Sequence, residues 1–294
     1  MTPFDYIAVQ TVDEACSYLS EYGSDARILA GGTDLLVELR RANRRTPRVI
    51  LDISFLKDQC SIASSKGTVT IKCLATHTDL MQSDVITSMA PLLSIAASVI
   101  GAPQIRNRGT VGGNIMNAAA CADTVPPLIA LEARVTLQSK RGTRQLALAE
   151  LFLKPYQTNA QPDELLTEIQ FSQSAVPLRT AFIKLGRRNA LSISRLSIAA
   201  ILRQDDSGKI IDARLVPGAT FPTWRRVHDG ENILIGERPS TELFKAAGHK
   251  VSELMIQETG RRWSTEYKEP VLAVLVRRAL EQCVSSDRQQ ENKK

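Results

Sequence analysis

The 294-residue chain has the hydrophobic content (43%), charged content (23%) and modest net charge (+6) of an ordinary globular protein. Its length favours two or three packed units over a single core. Its apolar runs are all shorter than the ~20 residues that cross a bilayer, so we expect no membrane span. Aromatic residues make up 5% and are not interleaved with the basic ones, so we expect no nucleic-acid partner.

The cysteines and histidines are scattered along the chain. No two of the five cysteines and three histidines have metal-ligand or redox spacing, which argues against a metal site. Scattered thiols are typical of a reducing compartment, and the first five residues lack a signal-peptide pattern. We therefore expect a cytoplasmic protein that ligates no metal.

The first unit is predicted to contain a capped helix followed by a strand, a glycine turn, a second helix and a second strand. Thr11 caps the first helix and Gly23 ends it; the later elements are 27–30, 31–34, 35–39 and 48–52. The strand–helix–strand order predicts a small parallel sheet. A glycine turn that leads into a helix N-terminus also suits an anion, because free N–H groups point out of it.

That glycine turn, taken alone, has two interpretations. It is neither the G-x-G-x-x-G dinucleotide fingerprint nor a P-loop. Thr33 or Asp34 can simply cap the helix that follows, and the Asp34 carboxylate would repel a bare phosphate unless it turns onto the backbone.

A second unit begins near Cys60. It is predicted to contain strands, two helices and one hairpin, whose turn is 140–142. The strands are 67–73, 134–137 and 165–171, and the helices start at Thr78 and Pro91.

Composition shifts at 172–177, and a third unit follows. Three strands are predicted, with a hairpin turn at 205–208, and then two helices and a polar tail that frays from Ser285. The strands are 181–185, 197–202 and 210–215, and the helices are about 240–258 and 270–283.

Residues 105–117 form the most informative stretch of the chain. Three glycines fall within five positions, and Thr110, Asn114 and Asn117 alternate with them. Glycine allows a backbone to approach a ligand closely, and short amide and hydroxyl side chains donate and accept hydrogen bonds. The stretch therefore favours a ligand cradle, the alternative being a tight surface loop between two helices.

Two motifs in order carry a resemblance to a known family. A-G-G-T-D-L at 30–35 and R-N-R-G-T-V-G-G-N at 106–114 resemble the FAD-binding medium subunits of the molybdenum hydroxylases, as do Asp123 and the segments 164–168 and 184–188. The resemblance implies an α+β fold, in which a two-subdomain, PCMH-type FAD-binding domain precedes a C-terminal domain with a small antiparallel sheet and helices. The implied boundaries are 1–174, with subdomains of about 1–58 and 59–174, then 175–286 and a polar tail at 287–294.

The resemblance also implies a set of cofactor-binding residues. They are Leu29, Ala30, Gly31, Gly32, Thr33, Asp34, Leu35 and Leu36 around the diphosphate; Thr110, Val111, Gly112, Gly113 and Asn114, with Asn117, around the diphosphate, ribityl chain and flavin edge; Ile100 and Gly101 beside the isoalloxazine; Asp123 at an adenine-side hydroxyl; Leu166 against the adenine; and Lys184 near the flavin or its phosphates. On the residues alone, Asp123 can instead cap a helix at Thr124, and Lys184 can simply be solvated.

The implied function is electron transfer within a larger enzyme. FAD on this chain would take electrons from a 2Fe–2S small subunit, beside a molybdenum-cofactor large subunit, and pass them to NAD or another acceptor. Only Cys121 lies where the hydroxybenzoyl-CoA reductase branch carries an inserted cysteine-rich loop, which argues against that branch. The basic cluster Arg40, Arg41, Arg44 and Arg45 is either a solvated helix end or a surface that faces a partner. The alternative function is a stand-alone nucleotide-binding or regulatory protein.

Overall fold

The structure, a computed structural model, describes residues 4–41, 46–174, 178–188 and 191–291, with side chains as far as residue 285. Its strands are Asp5–Ala8 (β1), Ala26–Leu29 (β2), Val49–Asp52 (β3), Ile62–Ser65 (β4), Thr68–Lys72 (β5), Arg134–Ser139 (β6), Gly142–Ala147 (β7), Phe152–Lys154 (β8), Gln157–Thr158 (β9), Leu165–Ser172 (β10), Arg179–Leu185 (β11), Leu196–Gln204 (β12) and Ile210–Gly218 (β13). Its helices are Val12–Tyr22 (α1), Leu35–Leu39 (α2), His77–Gln82 (α3), Asp84–Met89 (α4), Pro91–Ser98 (α5), Pro103–Arg106 (α6), Val111–Asn117 (α7), Val125–Ala130 (α8), His228–Asn232 (α9), Thr241–Thr259 (α10) and Thr265–Glu291 (α11).

The first unit is the predicted parallel sheet. Its three strands lie in the order β1-β3-β2, and both pairs are parallel, which confirms the strand–helix–strand interpretation. The Thr11 hydroxyl caps α1 by accepting a hydrogen bond from the Glu14 N–H, and Gly23 ends the helix with φ +50°. The central strand β3 is buried throughout because α1 packs Ala15 and Leu19 into the same core.

The second unit is a five-stranded antiparallel sheet in the order β4-β5-β10-β6-β7. Its central strand β10 buries Ile169 beside Ile71 of β5 and Val135 of β6. The helices α3, α5 and α8 share the same apolar core. This sheet supplies the scaffold on which the second glycine-rich segment is mounted.

The third unit is an antiparallel sheet, β11-β12-β13, covered by α10 and α11, which form a core of their own with it. These three units confirm the α+β class. The start predicted for the last helix at Pro270 is wrong, because α11 begins at Thr265 with Pro270 inside it. Pro270 lies one turn into the helix, where it cannot donate to the carbonyl four residues before it.

The tail predicted to fray from Ser285 is also different, since α11 is helical as far as Glu291. No helix among the described residues is long and apolar enough to cross a membrane. The domain boundary near residue 174 stays a prediction, because 175–177 lie outside the described residues. Arg44 and Arg45 of the basic cluster also lie outside them.

Candidate cofactor-binding site

The two glycine-rich segments, far apart in sequence, meet back to back. We call 30–35 the first loop and 108–114 the second loop. A Cβ added to Gly31 would stand 1.9 Å from the Arg108 carbonyl oxygen and 3.1 Å from the Gly109 Cα. Only glycine permits this approach, so the position of each loop depends on the other.

The second loop is fastened to the sheet by its backbone. The Gly109 carbonyl accepts from the His77 N–H at 3.1 Å, and the N–H groups of Val111 and Gly112 donate to carbonyls of 75 and 73 at 2.9 Å. The Gly113 N–H donates to the Thr110 hydroxyl at 3.0 Å. The first N–H groups of α7 are therefore already satisfied, and this loop presents side chains rather than a free helix N-terminus to a ligand.

Those side chains keep hydrogen-bonding capacity. The Asn114 side-chain oxygen accepts from the Thr124 hydroxyl at 2.7 Å, which turns its amide N–H groups outward. An amide has two such donors, and they remain available.

The first loop differs from the second because its backbone N–H groups have not been used in hydrogen bonds. The N–H groups of residues 31–35 donate to no acceptor among the described residues. Gly32 has φ +76°, a conformation in which side chains are strained, and it turns the chain from β2 into α2. Five consecutive residues of the cleft lining thus keep backbone N–H donors for a ligand, as phosphate-binding loops do.

A cleft of about 490 Å³ lies between the two loops and the first residues of β10. It brings together thirteen of the residues singled out from the sequence: Ala30, Gly31, Gly32, Thr33, Asp34, Leu35, Ile100, Thr110, Gly112, Gly113, Asn114, Asn117 and Leu166. It does not bring in the other six, Leu29, Leu36, Gly101, Val111, Asp123 and Lys184, which lie outside its lining. Val111 is fully buried in the core, and Leu36 faces solvent.

Asp123 and Lys184 lie close together instead. The Lys184 Nζ donates to an Asp123 carboxylate oxygen at 2.7 Å and to the Val99 carbonyl at 2.9 Å. The other Asp123 oxygen accepts from the Ser194 hydroxyl. The interpretation of Asp123 as a helix cap is wrong, because Thr124 precedes α8 without any side-chain cap bond. Burial raises the pKa of Asp123, and Lys184 and Ser194 offset part of that rise.

Asp34 does not turn onto the backbone either. It precedes α2 without a side-chain cap bond. Partial burial, and then the charge of Glu38, raise the pKa of Asp34. Glu38 is paired with Arg27 at 3.0 Å, and both line the cleft. Arg27 thus enters the lining as one half of an ion pair.

Sequence reasoning missed one wall of the cleft. The segment 156–162 contains β9, runs on toward β10 and supplies six residues of the lining. Tyr156 takes φ +62° and donates its N–H to the Ala118 carbonyl at 2.8 Å, which ties this segment to the end of α7. No glycine pattern or motif marks it, so only the fold reveals it.

Glu164 stands at the end of that wall. Arg144 donates to both of its oxygens, at 2.7 and 2.8 Å, and the Gln161 N–H donates at 2.7 Å. Burial by itself would raise the pKa of Glu164, but these hydrogen bonds hold it below its usual value. The pair fixes the segment against β7 and β10.

Family models match both parts of the chain. Residues 2–173 match the FAD binding domain in molybdopterin dehydrogenase, and residues 181–283 match the CO dehydrogenase flavoprotein C-terminal domain. The chain belongs to this family. It is an FAD-binding oxidoreductase chain, and the cofactor predicted from the two motifs is confirmed.

Relatives match it over nearly their whole length. The 6-hydroxypseudooxynicotine dehydrogenase complex subunit alpha of Paenarthrobacter nicotinovorans is 34% identical, covering 94% of this chain and 93% of the relative. The nicotinate dehydrogenase FAD-subunit of Eubacterium barkeri is 32% identical, covering 91% and 92%. Carbon monoxide dehydrogenase from Hydrogenophaga pseudoflava contains a chain of the same fold, with TM-score 0.90, 29% identity and coverage of 97% and 99%.

The residues of the cleft fit FAD. The open N–H groups of 31–35 suit a diphosphate, and Asp34 and the Arg27–Glu38 pair lie beside them in the lining. Ile100, Ile105 and Leu166 give apolar walls for the ring systems, and the volume falls in the range of cofactor sites. A Cβ at Gly113 would stand 2.8 Å from the Thr110 hydroxyl, which would have to move, and would meet no other atom within 4 Å, so space remains beside the second loop.

Proposed function

We propose that this chain is the FAD-carrying electron-transfer subunit of a heteromeric molybdenum hydroxylase. It would work with a large subunit that binds the molybdenum cofactor and a small subunit that carries 2Fe–2S clusters. The observation that carries the proposal is the pair of crossed glycine loops beside an open cleft, in a chain that spans nearly the whole length of FAD-binding relatives. The free thiols, three of them buried, support a reducing compartment, and we place the assembly in the cytoplasm.

The bound FAD supplies the redox chemistry that connects iron–sulfur clusters on the partner chain to NAD or another acceptor. This chain contributes binding and orientation. The N–H groups of the first loop hold the diphosphate, and Thr110, Asn114 and Asn117 bind the adjoining part of the cofactor with their side chains. Leu166 packs against the adenine, and Ile100 lies beside the isoalloxazine.

The Asp123–Lys184 ion pair has a structural role in this proposal. It joins the end of α7 and the start of α8 to β11 of the C-terminal unit, across the junction of the two parts of the chain. Ser194, just before β12, donates to the same carboxylate. The Asp123 carboxylate therefore holds both β11 and the start of β12 to the cofactor domain.

The test is purification of the full chain, tagged, from the cells that produce it. We expect a large and a small chain to co-purify, with molybdenum and iron in the complex and a flavin absorbance band. Acid precipitation should release all of the yellow colour, because on this proposal hydrogen bonds and packing alone hold the FAD. A chain that purifies alone and colourless, and takes up a different nucleotide, would support the stand-alone alternative.

A further inference from the structure

His77 is a buried residue of the cleft wall that no motif singled out. It is the first residue of α3 and is only 2% exposed, although it lines the cleft. Its backbone N–H donates to the Gly109 carbonyl, and its ring packs against Gly109. A Cβ on Gly109 would stand 3.2 Å from the ring Cδ2 and 3.4 Å from Nε2. The Nε2 edge of the ring therefore faces the second loop.

Neither ring nitrogen has a hydrogen-bond partner among the described residues. Two buried side-chain atoms in that part of the chain lack partners, His77 Nδ1 and Arg106 Nε. Burial, and then the positive charge of Arg106, lower the pKa of His77 to about 4, so the ring is neutral at neutral pH. Nε2 is not among these fully enclosed atoms, so it is the ring nitrogen that a ligand in the cleft can reach.

The neighbourhood favours one tautomer. Nδ1 has no acceptor within reach among the described residues, so a hydrogen on it would be buried without a bond. Nδ1 is the enclosed nitrogen. The single hydrogen is then on Nε2, at the edge next to Gly109 and the cleft.

We propose that the Nε2–H of His77 donates a hydrogen bond to an acceptor oxygen of the bound FAD, at the place where the two loops cross. His77 is thereby a cofactor-binding residue in addition to the two loops. The proposal assumes only that the chain binds FAD, and not that it has redox partners. His77 also holds the second loop in place, through its backbone N–H and through the packing of its ring against Gly109.

Three substitutions separate the hydrogen bond from packing. His77→Phe keeps an aromatic ring and removes both nitrogens; His77→Gln places an amide N–H near Nε2; His77→Asn places one near Nδ1. The measurement is the FAD dissociation constant of the full-length apoprotein, from quenching of flavin fluorescence, alongside its thermal melting temperature.

We expect His77→Phe to bind FAD about tenfold more weakly, which is about 1.4 kcal/mol, with an apoprotein melting temperature equal to or above that of the wild type. A phenyl ring removes the unsatisfied polar atoms from the core, so the two readouts should move in opposite directions. His77→Gln should stay within about threefold of the wild type, and His77→Asn should resemble His77→Phe. Thr78→Val is the matched control: it removes the neighbouring hydrogen bond to Asn107, outside the cleft lining, and should leave FAD affinity unchanged.

Equal FAD affinity in folded His77→Phe and wild-type protein would overturn the proposal. So would a His77→Gln variant that is folded and binds no better than His77→Phe. Either result leaves the proposed function intact, because the wild type still binds FAD in the same titration. Failure of the chain to assemble with partner subunits, in turn, leaves this test unaffected.

Discussion

Replacing Asp123 by alanine distinguishes a structural ion pair from a direct ligand contact. The Asp123 and Lys184 side chains are only 5% and 11% exposed, and the carboxylate also accepts from the Ser194 hydroxyl. Removing the carboxylate leaves the Lys184 ammonium enclosed with the Val99 carbonyl as its remaining partner. We expect the apoprotein to become much less stable even in the absence of FAD.

The expected cost follows from the burial of the pair. Removing one partner of a buried ion pair destabilises a protein by about 3–5 kcal/mol, because the other charge is left uncompensated. Asp123→Asn keeps an acceptor for Ser194 and should cost less. The double variant Asp123→Ala/Lys184→Met removes both charges and should recover part of the loss, since no lone buried charge remains.

The assay is urea unfolding of the apoprotein, which gives the free energy of unfolding by linear extrapolation. Asp163→Ala is the control, because Asp163 pairs with Arg141, whose side chain is 64% exposed. Such a surface pair contributes about 1 kcal/mol or less. An Asp123→Ala apoprotein of wild-type stability that binds FAD more weakly would refute this reasoning and favour a direct contact between Asp123 and the cofactor.

Three further predictions follow from the loops and from His77. Gly31→Ala should lower apoprotein stability by about 1–3 kcal/mol or more and abolish FAD binding, since its Cβ would overlap the second loop. Gly67→Ala is the control for FAD binding: its Cβ meets open space, so it should keep FAD affinity, although its φ of +75° makes alanine cost some stability. Thermal melting with FAD titration checks both. Gly113→Val should lose FAD while circular dichroism stays that of a folded protein, because a Cβ there meets only the Thr110 hydroxyl; full flavin occupancy would contradict this. Between pH 6.5 and about 4 the unfolded chain binds a proton that folded His77 excludes, so the free energy of unfolding should fall by about 3 kcal/mol as the pH falls. His77→Phe should lack this part of the pH dependence, and an equal pH dependence of the two proteins in urea unfolding would contradict it.

Local patterns allowed the elements of the first and third units to be predicted. Thr11, Gly23 and the turn at 205–208 are determined by capping and turn chemistry within a few residues, and the structure confirms all three. The apolar pattern of residues 128–131 did not show whether they form a helix or a strand. Most of them lie in α8, where consecutive prolines start the helix. The start of α11 was predicted wrongly because Pro270 was taken as the first residue of the helix, which in fact begins at Thr265.

The site was predictable where it consists of glycine loops and not where it depends on long-range contacts. The sequence does not show that Gly31 lies on Arg108, or that Asp123 binds Lys184 sixty-one positions away. The wall at 156–162 has no motif, and His77 looks like any lone histidine. These features arise only when the units of the chain pack together, and such tertiary packing leaves no pattern within a short stretch of sequence.

Anaerobic mixing of the assembled complex with its substrate tests the central claim most directly. The flavin absorbance band of this chain and the signal of the partner's iron–sulfur clusters are recorded together, for the complex and for the isolated FAD-loaded chain. We expect both signals to report reduction in the complex, and we expect the flavin of the isolated chain to stay oxidised. Clusters that become reduced while the flavin stays oxidised in the complex, or a flavin that substrate reduces in the isolated chain, would contradict the account.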